Sequence, residues 1–178
     1  MKTIVLYKSI SGFTEKYARW IAEDMDCECC SIDDLPSENP VDYDIIIFGG
    51  SLHAVGISGF KTLQKRFPDL INRTVYIFAT GASPGREHIP GAVIDSNFTE
   101  AQKKAFRFYY FRGGFDFSKL NPVNRFIMSL MHIKIRLTKP SKRTPDDIGM
   151  LSAFANPVDF TKRDRINELV RDLRASGE

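Results

Sequence analysis

The stretch Thr3-Ile4-Val5-Leu6-Tyr7-Lys8-Ser9-Ile10-Ser11-Gly12-Phe13-Thr14 decides how the rest of the chain is read. From Thr3 to Tyr7 it is a run of strand length, rich in β-branched and aromatic residues. Unbroken rather than alternating apolar character predicts a strand covered on both faces, as in a parallel sheet. A hydroxyl-rich turn around Gly12 follows. From Thr14 to Met25 the residues Tyr17, Ala18, Ile21, Ala22 and Met25 then recur at helical spacing. A strand that passes through a tight polar turn into a helix is the opening unit of an open α/β sheet. In such sheets ligands sit outside the carboxyl ends of the strands.

Working outward, the strand signature returns at Glu28–Ile32, Asp44–Phe48, Thr74–Ala79 and Phe106–Phe111. Helical spacing returns at Gly59–Phe67, through Phe60, Leu63 and Phe67, and at Asp159–Ala175, through Ile166, Leu169, Val170 and Leu173. Thr161 and Asp164 are set like a capping box for that last helix. The alternation predicts a doubly wound α/β sandwich. Residues 1–178 read as one domain, because 178 residues with 43% hydrophobic and 26% charged content describe a single ordinary globular unit. The same figures exclude low-complexity, collagen-like and disordered chains. No run reaches the ~20 apolar residues of a membrane-spanning helix.

Residues 115–157 interrupt the alternation as an insert between the fifth strand and the last helix, too long for a plain connection. Pro122 is placed to open a helix running to Leu137. On it Arg125, Ser129, His132 and Arg136 share one narrow arc, while Val123, Phe126, Ile127, Leu130, Met131, Ile133 and Leu137 cover most of the rest. The basic loop Thr138-Lys139-Pro140-Ser141-Lys142-Arg143-Thr144-Pro145 follows. Between Arg112 and Arg143 eight basic residues face Asp116 alone, a net +7, which leaves −4 on the remainder of a chain whose total is +3. Two readings stand for the insert helix. Either its apolar arc docks on its own domain, or residues 119–143 meet a redox partner or an anionic membrane surface. Nucleic acid is not expected as a partner, since few aromatics lie among the cations and no binding motif is present.

Cys27, Cys29 and Cys30, odd in number and crowded, fit a reducing compartment and act as small buried hydrophobes. With no matching His or Cys cluster elsewhere, no metal site is expected. The amino-terminal apolar run is too short for a signal peptide. The expected location is therefore cytoplasmic, or peripheral to a membrane.

Three loops at the carboxyl edge carry the expected chemistry. In the first, Ser9, Ile10, Ser11, Gly12, Phe13 and Thr14 offer hydroxyls and helix-start amides to a phosphate, and Gly12 lets the backbone approach without a Cβ. The second, Gly49-Gly50-Ser51-Leu52-His53-Ala54-Val55-Gly56, has small residues that let backbone lie against a flat ring. The third, Thr80-Gly81-Ala82-Ser83-Pro84-Gly85-Arg86-Glu87, would flank its other side. Neither the glycine-rich dinucleotide fingerprint nor the P-loop is present. No hydrolase nucleophile motif occurs either.

What the first loop does match is the pattern [ST]-x-[ST]-G-x-T directly after the first strand, and by it the chain resembles the flavodoxin family. The resemblance implies a five-stranded parallel sheet of order 2-1-3-4-5 and FMN as cofactor, its phosphate on residues 9–14. The flavin would be bordered by Gly50, Ser51, Leu52, His53, Ala54, Thr80, Gly81, Ala82 and Gly85. His53, the histidine in these loops, is the candidate proton shuttle to the ring. Electron carriers of the family commonly stack a Trp and a Tyr on the flavin and are acidic. Here Trp20 lies in the first helix and the pI is near 8.7. Through Gly50-Ser51-Leu52, Gly56 and the insert with Asn124-Arg125-Phe126-Ile127-Met128, the chain is similar to a long-chain group that includes the menaquinone-dependent protoporphyrinogen dehydrogenases. That resemblance implies an FMN-dependent oxidoreductase passing electrons from an organic donor, such as protoporphyrinogen or another tetrapyrrole, to a quinone. The alternative is a carrier that moves electrons between protein partners without catalysis of its own.

Overall fold

A computed structural model of the chain describes residues 1–35, 43–83 and 88–176. The strands are β1 (Thr3–Lys8), β2 (Glu28–Ser31), β3 (Ile45–His53), β4 (Gly56–Ile57), β5 (Thr74–Gly81), β6 (Arg107–Arg112), β7 (Gly114–Phe115) and β8 (Val158–Asp159). The helices are α1 (Phe13–Met25), α2 (Phe60–Arg66), α3 (His88–Asn97), α4 (Glu100–Ala105), α5 (Pro122–Leu137), α6 (Pro145–Ala155) and α7 (Asn167–Ala175). Five strands pair in parallel in the order β2-β1-β3-β5-β6. This is the doubly wound order that the family resemblance implies. The order reverses between β1 and β3, which opens a crevice at their carboxyl ends.

The unbroken apolar strands divide between two cores, as a sheet covered on both faces requires. Ile4, Leu6, Ile46, Phe48, Val75 and Ile77 pack with Phe60 and Leu63 of α2, Val93 of α3, and Phe98. Their neighbours Val5, Ile45, Ile47, Tyr76 and Phe78 point the other way, onto Tyr17, Ala18 and Ile21 of α1 and Leu169, Val170 and Leu173 of α7. Each fully buried Ile, Leu or Phe contributes roughly 1.5–3 kcal/mol. Tyr17 also joins three segments. Its hydroxyl donates to the Arg112 carbonyl (2.8 Å) and accepts from the Lys162 amide (3.2 Å), binding the end of β6 and the approach to α7 onto α1.

Several local readings are corrected. The last helix does not begin at Asp159, and Thr161 and Asp164 form no capping box. A 3-10 turn at Arg163–Ile166 precedes α7, and it has no side-chain cap. The Asp159 carboxylate instead takes both the amide and the hydroxyl of Thr161, at 2.8 and 2.7 Å, and so holds Thr161 away from a capping position. Between β5 and β6 the chain forms α3 and α4 where no helix was read, although Thr99 and Gln102 make a reciprocal capping box at the start of α4. A second box, Thr144 with Asp147 behind Pro145, opens α6. Both were legible as short cap motifs, but each introduces a helix with too few apolar repeats to register as periodic.

The largest correction concerns α5. Its wide apolar arc does not dock on its own domain. Val123, Phe126, Ile127, Leu130, Met131, Ile133 and Leu137 are all exposed, between 39% and 81%. The inward side is Asn124, Met128, His132 and Ile135, and of the narrow polar arc Arg125 reaches back to the domain while Arg136 stays exposed. Arg125 donates to the Ser118 carbonyl (2.7 Å) and lies over the Phe117 ring, while His132 stacks on Phe154 with centroids 4.4 Å apart. Ile135 is the one α5 residue fully packed inside. Beyond the helix, the Arg143 guanidinium caps its end by donating to the carbonyls of Ile135, Arg136 and Thr138.

Cys27, Cys29 and Cys30 are free and half-buried around β2. Burial, reinforced by nearby acidic groups, pushes the Cys27 thiol up to about 11. Burial likewise pushes the Cys29 thiol up to about 11, with Arg19 opposing. At neutral pH both stay protonated and poorly nucleophilic. Alkylation by iodoacetamide is expected to be slow at pH 7 in the folded protein and to accelerate toward pH 11, followed by mass spectrometry. Fast modification of Cys27 or Cys29 at pH 7 would contradict this. In the sheet itself, a Cβ on Gly49 would collide with the buried Phe78 ring. Gly49→Ala is expected to destabilise the fold by about 1–3 kcal/mol through overpacking, measured by urea unfolding.

Candidate functional site

The carboxyl ends of β1, β3 and β5 lie in register, Lys8 beside Gly50 and Gly50 beside Ala79, so their loops emerge along one edge. Gly12, at φ +89°, turns the first loop directly into α1. A side chain in this left-handed conformation would be strained, and open space surrounds the glycine. Gly12 supplies no capping side chain, so the amides opening α1 are left to the loop side. Within the loop the Gly12 amide donates to Ser9 Oγ (3.0 Å).

Thr14 is fully buried. Its Oγ1 lies 2.7 Å from Ser51 Oγ and 2.6 Å from Thr80 Oγ1, and Ser51 Oγ also accepts from the Ile10 amide at 3.2 Å. One buried hydroxyl therefore ties the start of α1 to the carboxyl ends of β3 and β5. Thr14 was read as a ligand to phosphate beside Ser9 and Ser11. In this arrangement its hydroxyl is already engaged with the ends of β3 and β5, while Ser11 lines the open side.

The cleft enclosed by these loops has a volume of about 200 Å³. Of the residues singled out in the sequence, Ile10, Ser11, Phe13, Ser51, Leu52, His53, Thr80, Gly81 and Ala82 line it together. Ala54 lies next door, in a hollow of about 390 Å³ that shares Leu52, Gly81 and Ala82 with the first. Gly50 is packed away, since a Cβ there would strike Ile57 and the Ser58 backbone of the β4 hairpin. Gly85 lies outside the described residues. The hairpin carrying Leu52 and His53 is held by Asn97. Its side chain accepts from the Ile57 amide (3.0 Å) and donates to the Val55 carbonyl (2.7 Å).

The remaining wall comes from residues that loop reading missed. Phe115 of β7, Leu120, Asn124 and Met128 of α5, and Met150 of α6 close the cleft opposite the β3 and β5 loops. The aromatic groups absent from the second and third loops are thus supplied by Phe13 and Phe115. Phe13 stands among the residues singled out in the sequence, but nothing local reveals Phe115, because Phe115, Asn124 and Met150 meet only through the packing of the insert. The narrow polar arc of α5 is the available signal, but a helical wheel does not say which side of a helix turns inward. Beyond Phe115 and Met150 a further hollow of about 360 Å³ contains Arg112. The Arg112 guanidinium lies 3.6 Å over the Phe160 ring, and its Nε donates to the Ala82 carbonyl (3.1 Å). Tyr110 closes the other flank, donating to the Ser83 carbonyl at 2.8 Å, and burial pushes its phenol up.

A parallel sheet of this order, with an uncapped helix start and two glycine-containing loops around one cleft, defines a doubly wound α/β protein built to hold a ligand at its switch point. A family model described as a flavodoxin domain matches residues 4–142, most of the chain, and the chain belongs to that family. No curated protein matches it. Among solved structures it is similar to a flavodoxin from the domain Archaea, 16% identical over 62% of this chain and 85% of that one, with TM-score 0.41. It is also similar to a flavoprotein in complex with FMN from Lactobacillus acidophilus NCFM, 25% identical over 62% and 91%, with TM-score 0.43. A third is an oxidised flavodoxin 2 from Bacillus cereus, 17% identical over 87% and 95%, with TM-score 0.45.

FMN is the cofactor that goes with this family, and the cleft fits it on three counts. The α1 amides are uncapped, the first loop is free of Cβ at Gly12, and the ends of β3 and β5 border a cleft with apolar walls from Phe13, Leu52, Phe115 and Met128. No cation is required beside the phosphate. Lys8, the nearest in sequence, is ion-paired with Asp33.

The clasp gives a direct test. Thr14→Val keeps the shape but removes the shared hydroxyl, leaving Ser51 and Thr80 short of a partner. It is expected to cost about 1–3 kcal/mol in urea unfolding, and Thr14→Ser is expected to restore most of it.

Proposed function

We propose that the chain is an FMN-dependent oxidoreductase that takes electrons from an organic donor and delivers them to a quinone. The observation that carries the reading is the cleft itself, where the uncapped start of α1 opens beside the β3 and β5 loops. In this reading Ser9, Ser11 and the amides of Gly12, Phe13 and Thr14 hold the phosphate. Ser51, Leu52, Ala54, Thr80, Gly81 and Ala82 border the ring. Bound FMN supplies the redox chemistry, and the protein supplies position and electrostatics. His53 is exposed on the cleft wall, where its imidazole can hold or release a proton toward the ligand.

The adjoining hollow with Arg112, Phe115, Met150 and Phe160 favours an enzyme over a simple carrier, because it offers an organic donor a place beside the flavin cleft. Its apolar walls and single guanidinium suit an apolar body bearing a carboxylate, as the propionate-bearing tetrapyrrole protoporphyrinogen is. A quinone acceptor fits the same apolar approach. No described helix is long and apolar enough to cross a membrane.

The purified protein, desalted after incubation with FMN, is expected to retain the visible flavin bands at about one FMN per chain. Ser11→Ala is expected to weaken FMN binding about 10- to 100-fold, from a lost bond to a charged group of roughly 1.5–3 kcal/mol. A colourless protein would overturn the reading. With flavin bound, anaerobic reduction by protoporphyrinogen and reoxidation by a menaquinone analogue test donor and acceptor. His53→Ala is expected to slow turnover while leaving FMN uptake unchanged. Electron exchange with protein partners alone, without turnover of small molecules, would make the protein a carrier.

A further inference from the structure

We infer that the outward face of α5 seats the protein on a bilayer surface of anionic lipid. The helix is amphipathic in the reverse sense to an ordinary surface helix, whose apolar stripe faces the core. At 100° per residue its seven exposed apolar side chains, Val123 to Leu137, fall within an arc of about 160°. Asn124, Met128, His132 and Ile135 occupy the opposite, inward side. An apolar patch of this size on a water-exposed surface marks a contact with something apolar.

Charge selects which contact. Lys134 projects from the middle of the apolar arc, and Arg136, Lys139 and Lys142 follow within the next turns, all exposed. Among the described residues none of the four forms an ion pair. A second copy of the chain on this face would set these cations against their own images. An anionic headgroup layer neutralises them while accepting the apolar side chains just beneath it. Lys134 can lay its stem along the apolar face and keep its ammonium at headgroup level. Arg143 is already committed to capping the helix, which keeps the end of α5 ordered beneath the charged segment. The inner side of the same helix supplies Asn124 and Met128 to the cleft, so the seat would bring the cleft rim to the membrane. The inference goes beyond the redox reading and stands on the helix alone.

The test uses the full chain with vesicles of phosphatidylcholine alone and of phosphatidylcholine mixed equally with phosphatidylglycerol. The protein is expected to sediment with the mixed vesicles and not with the neutral ones, and high salt is expected to release it. Phe126→Glu with Leu130→Glu is expected to abolish sedimentation. Lys134→Gln with Lys139→Gln and Lys142→Gln is expected to weaken it roughly 100-fold. These positions are exposed, and thermal unfolding together with flavin uptake on the same samples checks that the variants fold. Phe126→Trp is expected to shift its emission to the blue on mixed vesicles and to be quenched by brominated acyl chains. Equal binding to both vesicle types, or binding to neither, would overturn the inference. So would a dimer in solution that Phe126→Glu with Leu130→Glu converts to monomer, since the face would then join two copies. A chain that takes up no flavin yet sediments as expected would uphold the seat and overturn the redox reading alone.

Discussion

The buried Thr14 hydroxyl is the point on which the site depends. Its Oγ1 sits within hydrogen-bond distance of both Ser51 Oγ and Thr80 Oγ1, and so ties the start of α1 to the ends of β3 and β5. Ser51 and Thr80 are ladder partners at the carboxyl ends of β3 and β5, so the sheet already holds their backbone. The turn from β1 into α1 has no such pairing and would be free to wander. A shared, solvent-excluded hydroxyl cluster removes that freedom, because opening it leaves polar groups buried without partners. The first amides of α1 stay open for an anion because the N-cap residue, Gly12, has no side chain to take them. Site geometry and local stability are therefore set by the same contact.

A second constraint comes from the insert. A helix with a broad apolar arc gains most by burying it, yet α5 turns that arc outward and binds inward through Arg125, His132 and Ile135. What holds it in this orientation is a set of specific contacts. Asn121 caps its start, Arg125 reaches the Ser118 carbonyl, and Arg143 closes its end. The cleft gains a wall of Asn124 and Met128 from this arrangement, and the surface gains an unpartnered apolar band beside unpaired cations. The inner and outer faces of one helix thus link the interior of the site to the protein's surroundings.

The continuous apolar runs of β1, β3 and β5 were legible because a strand covered on both faces has no polar alternation to confuse it. The hydroxyl-rich turn at Ser9–Thr14 was legible because it sits directly between such a run and a periodic helix. The short helices α3, α4 and α6 were harder to see, since each is decided by caps and neighbours rather than by its own repeat. Phe115, Met128 and Met150 could not be assigned to the site from the sequence at all. They lie far apart in the chain and meet only after the insert folds back across the sheet edge.

By itself, then, the sequence determined the parallel sheet, its strand order through the family resemblance, and the three loops that face one another at its edge. These follow from local pattern, from hydrophobic period and from turn chemistry, which need no distant partner. Only the tertiary structure decided that Thr14 ties α1 to the ends of β3 and β5, that Phe115 from the insert walls the cleft opposite them, and that α5 faces its apolar arc outward. A helical wheel records which residues share a face. Which face turns inward is decided by what the rest of the chain presents to it, and here that is a carbonyl, two aromatic rings and the mouth of a cleft rather than an apolar floor.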